Sequence, residues 1–409
     1  MKNIKLYKNI TWQFLLQAIR YLFPFVLLPY LTRIFGMEGY SSYVYVVSFA
    51  VFVQLLVEFG FNLTATKYFS QTRDKYAKVE INTNILISRL LISSFVISAS
   101  VIAALEIPIL YNNFEFTLLM TIAACIRGMW PDYIFLAYEN LGPITVRFFL
   151  ARSLAVIPVF LLVKSFNQIN VIGILEVISA LVSLIWSYYT AHKLFGIGIA
   201  RTGFGINKIF GYIKDTFPCC ISNVAANSTS GLTTLILGVS GLALAEISYW
   251  SLAVTAVAAV QALFVPINNA LYPHIVNNND IDFVKRISIY ALPALFLLTL
   301  VFCVESDLII KIIGGDDYLS GAFVFYWISP TIVFSFYAMI YGWPVLGAKG
   351  NVKKVALTSV ISSVFCFISL LLFAIFFNVN LIGICLIRCL SELLLMCSRL
   401  FLCFKLKLV

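Results

Sequence analysis

The sequence predicts an all-α polytopic membrane protein, with about twelve transmembrane helices in two pseudo-symmetric six-helix halves around a central cavity. Three observations predict this class. Of the 409 residues, 61% are hydrophobic and only 11% are charged, whereas soluble domains carry about 25% charged residues. The mean hydropathy is +0.97. The apolar residues are gathered into runs of about 20 or more, which is the length needed to cross a bilayer.

Hydropathy divides the chain into successive predicted spans separated by short loops. They cover residues 10–33, 41–63, 83–105, 115–138, 144–164, 170–191, 214–239, 246–272, 287–308, 321–346, 355–377 and 380–403. No hydrophilic stretch is long enough for a soluble domain of ordinary size. The lysine-bearing N-terminus is interpreted as a cytoplasmic tail, because the apolar run after it is longer than a signal-peptide core and lacks a cleavage site.

The net charge of +10 would indicate nucleic-acid binding in a soluble protein, but here its distribution indicates membrane topology. Lysines and arginines collect in alternate loops and in both tails. These are Lys2, Lys5, Lys8, Lys67, Arg73, Lys75, Lys78, Lys193, Arg201, Lys208, Lys214, Lys285, Arg286, Lys349, Lys353, Lys354, Lys405 and Lys407. The positive-inside rule therefore predicts that these loops and both termini are cytoplasmic, which requires an even number of spans.

The longest cytoplasmic connection lies in the middle of the chain and is rich in glycine. It predicts an N-terminal six-helix lobe over 1–192, a cytoplasmic linker over 193–212 and a C-terminal six-helix lobe over 213–409. A glycine-rich connection at this point is typical of a flexible hinge between two halves. Because six is even, the two halves have the same orientation in the membrane.

Three arginines lie within the apolar runs: Arg20, Arg127 and Arg152. A cation near the bilayer centre costs about 2.5–3.5 kcal/mol on insertion scales and rarely faces lipid. Their number indicates a shared interior that needs positive charge and binds an anion. Arg20 could instead form a structural ion pair with Glu58. Arg152 has no partner within its own span and is the best single candidate for contact with a ligand.

Polar residues recur on one face of several spans. In the first span Gln13, Gln17 and Arg20 follow helical spacing, and Asn223, Asn227 and Gln261 line spans seven and eight. These stripes predict a central water-filled cavity whose amides contact substrate. The alternative is that the amides hold neighbouring helices together by hydrogen bonds.

Motifs of catalysis and metal binding do not occur. The sequence lacks a P-loop and the HExxH and GxSxG signatures. The nine cysteines form no CxxC pair and are interpreted as small apolar packing residues. We therefore expect no enzyme activity, no metal site and no cofactor.

Several motifs resemble those of polysaccharide repeat-unit flippases, the O-antigen (Wzx-type) members of the multidrug/oligosaccharidyl-lipid/polysaccharide (MOP) exporter superfamily. The first is the run from Leu28 to Tyr43, LPYLTRIFGMEGYSSY. The others are Glu58–Asn62 (EFGFN), Ala65–Tyr68 (ATKY), Trp130–Phe135 (WPDYIF), Tyr138–Asn140 (YEN), Ile313–Gly315 with Tyr318, and Leu346–Lys349 (LGAK). Each motif is degenerate, but their order covers nearly the whole chain. Many relatives carry an Asp-Arg pair in span seven where this chain has Thr233-Thr234.

The resemblance implies a MOP/MATE-like fold in a bacterial cytoplasmic (inner) membrane. It implies that the protein moves undecaprenyl-diphosphate-linked oligosaccharide, an O-antigen or related repeat unit, across that membrane by alternating access. The diphosphate and sugars would occupy the cationic cavity while the polyprenyl tail stays in membrane lipid. Coupling to an ion gradient through Glu58 or Asp132 is a further hypothesis. Candidate protein partners are the polymerase and the chain-length regulator of the same pathway, and no nucleic acid is expected.

Rival functions follow from the same sequence. A small-molecule or drug exporter of the superfamily would need an acidic cavity for its cations, whereas the intramembrane charge here is mainly basic. An O-antigen polymerase would need a sizeable extracytoplasmic catalytic loop, and the sequence has none. A lipid II flippase would have two further spans.

Overall fold

The computed structural model describes residues 2–200, 205–227, 229–240, 243–278, 280–377 and 379–408, and this part of the chain is helical without β-strands. The helices are α1 (Lys2–Glu58), α2 (Phe61–Gln71), α3 (Lys75–Glu106), α4 (Pro108–Asn112), α5 (Phe114–Gly128), α6 (Asp132–Ala137), α7 (Gly142–Leu162), α8 (Ile169–Phe195), α9 (Ile206–Asn227), α10 (Thr229–Val239), α11 (Leu244–Ala262), α12 (Phe264–Asn278), α13 (Ile281–Val304), α14 (Ser306–Ile313), α15 (Phe323–Ile328), α16 (Thr331–Ile340), α17 (Val352–Phe376) and α18 (Leu381–Lys405). The predicted class, an all-α polytopic membrane protein, is confirmed.

Several predicted spans are interrupted rather than continuous. Within the described ranges, nine helices are long and apolar enough to cross a membrane. The first two predicted spans are merged into the single long α1, which is broken by a non-helical Gly36. The fourth is divided between α5 and α6 at Pro131, which has no backbone N–H to continue a helix. The seventh is described as α9 and α10 on either side of residue 228, which lies outside the described ranges.

Side-chain caps explain where three of the long helices begin. The Asp74 carboxylate accepts a hydrogen bond from the Ala77 backbone N–H at 2.9 Å at the start of α3. Asp280 and Asn380 make the equivalent bonds at α13 and α18, at 3.0 and 2.8 Å. Each cap satisfies a backbone donor that the first turn of a helix leaves without a partner.

A sharp turn separates α1 from α2. Phe59 and Gly60 both have positive φ angles, 52° and 79°. A Cβ atom on Gly60 would lie 2.9 Å from the backbone carbonyl carbon of Cys219 in α9. Glycine is therefore required here both by the left-handed backbone and by the close approach of another helix.

The packing of the helices divides the chain into two compact units. The first unit contains Met1–Leu27 and Tyr45–Asn227, and the second contains Leu28–Val44 and Ser228–Val409. These units differ from the predicted lobes, because 28–44 packs with the second unit and 213–227 packs with the first. The functional division into lobes over 1–192 and 213–409 stays a prediction.

Helical structure extends into both ends of the predicted linker 193–212. Helix α8 continues to Phe195 and α9 begins at Ile206, and residues 201–204 lie outside the described ranges. Three consecutive α3 side chains hydrogen-bond the backbone of the connection. The bonds join Asn82 to Gly198 at 2.8 Å, Thr83 to Ala200 at 2.8 Å and Asn84 to Gly205 at 3.4 Å. A hydrogen bond to Glu80 also raises the pKa of Lys208.

The polar residues of the Leu28–Tyr43 run serve packing within the second unit. Thr32 donates to the Ile313 carbonyl at 3.1 Å, at the C-terminus of α14. Ser41 and Ser248 hydroxyls are 2.9 Å apart. Because the last carbonyls of a helix lack intrahelical partners, such side-chain donors stabilise its end. This motif therefore joins the middle of α1 to α11 and α14.

Candidate functional site

A carboxylate shared by two arginines forms the centre of the candidate site in the first unit. Glu176 of α8 pairs with Arg127 of α5 through one oxygen and with Arg152 of α7, at 3.1 Å, through the other. The Arg127 guanidinium also donates to the Gln54 side-chain oxygen at 3.2 Å. Two predicted site residues are thus brought together by one acidic residue. Arg152 has no partner within its own span, and Glu176 pairs with it from the neighbouring helix α8.

An aromatic ring extends this group to the third predicted arginine. The guanidinium carbons of Arg20 and Arg152 each lie 5.5 Å from the centroid of the Phe148 ring. This is within the roughly 6 Å range of cation–π attraction. Arg20, Phe148, Arg152, Glu176 and Arg127 therefore form a continuous series, which we call the arginine series.

Exposure rises from one end of the arginine series to the other. The side chains of Arg127, Glu176 and Arg152 are 10%, 14% and 33% exposed, and Arg20 is exposed. Among the described residues, Arg20 forms no ion pair, and the alternative pair with Glu58 is not present. Within the arginine series, Arg20 is thus the member with the least compensated charge.

A second ion pair lies in the same unit. Arg147 of α7 binds Asp132 with both terminal nitrogens, one of them at 3.1 Å. Its guanidinium carbon lies 4.1 Å from the Trp130 ring centroid, and Ser187 accepts a further bond at 3.3 Å. Since Arg147 is almost completely buried, this pair has the geometry of a structural contact. Asp132, a predicted ion-coupling residue, is held by a permanent positive charge.

Glu58, the other predicted ion-coupling residue, has a neutral partner instead. The Asn62 amide donates to the Glu58 carboxylate at 2.7 Å and accepts from Arg89 at 3.3 Å. The amide therefore separates the carboxylate from the nearest arginine. This contact spans the turn at Phe59 and Gly60.

Arg89 is absent from the residues predicted from sequence. It is 1% exposed, donates to the Trp130 carbonyl at 2.8 Å and lies 5.5 and 5.2 Å from the Phe61 and Tyr133 ring centroids. The criterion that marks Arg20, a lone cation in an apolar run, applies equally to Arg89. That signal was present in the sequence.

The predicted amide stripes are only partly described. Gln13 is exposed and Gln17 is half-buried on α1, and Asn223 is half-buried on α9. The side chain of Asn227 lies outside the described residues. Gln261 is half-buried on α11 of the second unit. Their contact with a substrate stays a prediction.

The second unit compensates its arginines in other ways. Arg388 pairs with Glu392 one turn away at 2.7 Å. Arg399 is 6% exposed and is bound by neutral groups. It donates to the Ala338 carbonyl at 2.6 Å, to Ser359 at 2.8 Å and to Thr358 at 3.3 Å.

No group of three or more His, Cys, Asp or Glu side chains in the described part of the chain could hold a metal ion. The polar chemistry of the first unit is therefore that of guanidinium groups, carboxylates and amides. Guanidinium groups recognise carboxylates and phosphates through paired hydrogen bonds. The exposed end of the arginine series is suited to an anion.

The family profile described as "Polysaccharide biosynthesis protein" matches residues 6–279. The chain belongs to this family. A relative from Escherichia coli (strain K12) named "Putative O-antigen transporter" is 25% identical over 363 residues, covering 86% of each chain. The resemblance found in the sequence motifs is confirmed.

Solved structures show the same fold. "Lipid II flippase MurJ, inward closed conformation" has a TM-score of 0.72 at 14% identity, covering 99% of this chain and 87% of that one. An inward-facing "multidrug resistance MATE family transporter of the MOP superfamily" has a TM-score of 0.67 at 12% identity, covering 96% and 94%. The chain thus shares the fold of these structures and is a multi-pass membrane protein.

Proposed function

We propose that the protein is a flippase that moves undecaprenyl-diphosphate-linked O-antigen, or related surface-polysaccharide repeat units, across the bacterial cytoplasmic membrane by alternating access. The observation that carries the proposal is the arginine series. It contains three arginines and one carboxylate, and its least compensated member is also its most exposed. Membership of the polysaccharide biosynthesis family and the O-antigen transporter name of a relative support the substrate class.

The charge of this site favours a lipid-linked diphosphate over a drug cation. A diphosphate headgroup carries several negative charges and matches guanidinium donors in geometry. A cation exporter would place an uncompensated carboxylate there, yet Glu176 is bound by two arginines. We assign headgroup contact first to Arg20, then to Arg152, with Arg127 holding Glu176 in place.

The amides are proposed to contact the sugars. Gln13 and Gln17 lie on α1 in the two turns before Arg20, so they continue along the helix from the cation that would bind the phosphate. Asn223, Asn227 and Gln261 are proposed for the same role from spans seven and eight. The polyprenyl tail would stay in membrane lipid, where its transfer from water is most favourable.

Ion coupling, if the cycle uses it, is assigned to Glu58 in preference to Asp132. Asp132 lies against both terminal nitrogens of Arg147 and is already engaged in an ion pair. Glu58 is held by the neutral Asn62 amide, which can donate to a carboxylate or to the carbonyl oxygen of a carboxylic acid. Glu58 can therefore change its protonation state without losing its partner.

Cytoplasmic termini, two alternately opening lobes and two protein partners are also proposed. The distribution of lysine and arginine supports cytoplasmic termini, and the two lobes over 1–192 and 213–409 would open alternately on either side of the membrane. The polymerase and the chain-length regulator of the pathway are the proposed protein partners. Both would act on the repeat unit after its translocation.

Complementation of a bacterium that lacks its own O-antigen flippase tests the function. We expect the wild-type chain to restore surface polysaccharide, and Arg20→Ala, Arg127→Ala and Arg152→Ala to reduce it. Arg73→Ala is the matched control, because Arg73 is exposed in the turn between α2 and α3. Full restoration by all three site variants would contradict the site assignment.

The same cells separate a flippase from a polymerase. Loss of a polymerase leaves single repeat units on the lipid A core, whereas loss of a flippase abolishes them. If the wild-type chain restored only the polymerised form in a polymerase-deficient strain, the flippase proposal would be wrong.

A further inference from the structure

We propose that Phe148 is a positioning residue that holds Arg20 beside Arg152, so that the two guanidinium groups bind the two phosphoryl groups of a diphosphate together. This inference rests on the proposed function. Phe148 itself need not contact the ligand. Its effect would be exerted through the two arginines that share its ring.

The position of Phe148 follows from two helices. Phe148 and Arg152 are one turn apart on α7, which places them on the same face of that helix. Arg20 comes from α1, which contacts α7 at other levels too. The Thr145 hydroxyl donates to the Trp12 carbonyl at 3.0 Å, and the Phe23 and Phe149 rings are 6.0 Å apart. The Phe148 ring therefore lies where the arginine of one helix meets the arginine of the other.

The Phe148 ring attracts two guanidinium groups that would otherwise repel each other. Arg20 and Arg152 are each 5.5 Å from the ring centroid, so their guanidinium carbons are at most twice that distance apart. Like charges this close repel, and Glu176, the carboxylate that pairs with Arg152, is already shared with Arg127. The negative face of an aromatic ring attracts both cations without neutralising either. The pair thus stays close and keeps its charge for a ligand.

This arrangement distinguishes a diphosphate from a monophosphate. Two phosphoryl groups can engage both guanidinium groups at once, whereas a single phosphoryl group needs only one strong partner. An aliphatic side chain in place of Phe148 would keep the apolar packing but lose the attraction for the cations. Arg20, which has no ion pair among the described residues, would then move away from Arg152.

The test uses the purified full-length chain in lipid nanodiscs and two probes, farnesyl diphosphate and farnesyl monophosphate, titrated by calorimetry. We expect Phe148→Leu to weaken diphosphate binding roughly tenfold, or about 1.4 kcal/mol, and monophosphate binding by less than about threefold. Phe148→Tyr keeps the aromatic face and should bind like the wild type. Phe149→Leu is the matched control, because Phe149 is the adjacent exposed ring and packs on Phe23 rather than on an arginine.

The outcomes separate this inference from the proposed function. If Arg20→Ala loses diphosphate affinity but Phe148→Leu does not, Phe148 has no positioning role and the site stands. Equal losses in Phe148→Leu and Phe149→Leu, or in Phe148→Leu and Phe148→Tyr, would also overturn it. If Phe148→Leu does not fold, Phe148→Met carries the same expectation. A wild-type protein that does not bind farnesyl diphosphate would contradict both the site and the inference.

Discussion

The arginines of the first unit and those of the second show two ways of keeping a cation in a membrane protein. In the second unit every described intramembrane arginine is fully matched: Arg388 has its own carboxylate in Glu392, and Arg399 has a carbonyl and two hydroxyl partners. In the first unit three arginines share Glu176 and Phe148, and Arg20 has no carboxylate of its own.

This difference shows that a charged residue inside an apolar run long enough to span a membrane does not by itself indicate a binding site. Buried and matched arginines stabilise helix packing, as the buried Arg147–Asp132 pair also does. The functional indication is a positive charge that is exposed and incompletely compensated. On that criterion Arg20 replaces Arg152 as the foremost candidate for ligand contact.

The largest expected effect follows from removing this exposed charge. Arg20→Ala should reduce surface polysaccharide in complemented cells by more than about tenfold, since a charge-assisted contact to phosphate contributes roughly 1.5–3 kcal/mol. Arg20→Lys should retain part of the activity, because the charge remains and the paired donors are lost. Protein amount in the membrane should not change, since Arg20 is exposed.

Removing the Arg388–Glu392 pair of the second unit tests whether matched arginines contribute to transport. Arg388→Leu combined with Glu392→Leu should leave transport per molecule unchanged. If this double variant abolished transport as strongly as Arg20→Ala, matched and unmatched arginines would be functionally equivalent, and the distinction between the units would be wrong.

Removing the charge of the shared carboxylate Glu176 is expected to lower the stability of the protein. Glu176→Gln leaves two arginines without a counter-charge, whereas Glu392→Gln leaves one. We expect the first variant to lower the free energy of unfolding by about 2–4 kcal/mol and the second by roughly half as much, since both acids are mostly buried. Thermal denaturation in detergent checks the order. A larger loss for Glu392→Gln would contradict the sharing of Glu176.

Arg399 should affect stability alone, through the neutral groups that bind it. A Cβ atom on Gly342, in the π-helix Tyr341–Gly347, would lie 2.6 Å from an Arg399 terminal nitrogen. Gly342→Ala should therefore displace the guanidinium and destabilise the protein by about 1–3 kcal/mol, the cost of buried groups without hydrogen bonds.

Arg399→Met should have a similar effect, and the two substitutions together should cost less than their sum because they disturb one contact. Melting temperatures of the four proteins in this double-mutant cycle provide the measurement. Additive losses would show that Gly342 and Arg399 are independent.

The smallest effect is expected where a matched pair is removed as a whole. Replacing both Arg388 and Glu392 by leucine should change the free energy of unfolding by less than about 1 kcal/mol, because no unpaired charge remains. Either single leucine variant should be less stable than the double variant. A double variant less stable than both single variants would give the pair a larger structural role than a local helix contact.

The sequence predicted the helical runs and the three arginines of the series, because both depend on local composition. The partners of Glu176, an acid within the predicted span 170–191, could not be predicted, since Arg127 and Arg152 reach it from two other helices. Arg89 and Arg399 show the reverse case. Arg89 is the one charged residue of the predicted span 83–105, and Arg399 shares the span 380–403 with Arg388 and Glu392. Only the structure shows that carbonyl groups bind both arginines, with aromatic rings beside Arg89 and hydroxyl groups beside Arg399. The pairing of side chains depends on tertiary contacts that periodicity does not contain.

We propose that the arginine series binds the headgroup of a lipid-linked diphosphate during translocation. The most direct test is a flipping assay in proteoliposomes that contain a fluorescent prenyl-diphosphate oligosaccharide, with the wild type and Arg20→Ala compared at equal protein content. We expect the wild type to move the lipid between leaflets, Arg20→Ala to do so at least about tenfold more slowly, and Arg73→Ala to match the wild type. Equal rates for all three proteins would contradict it.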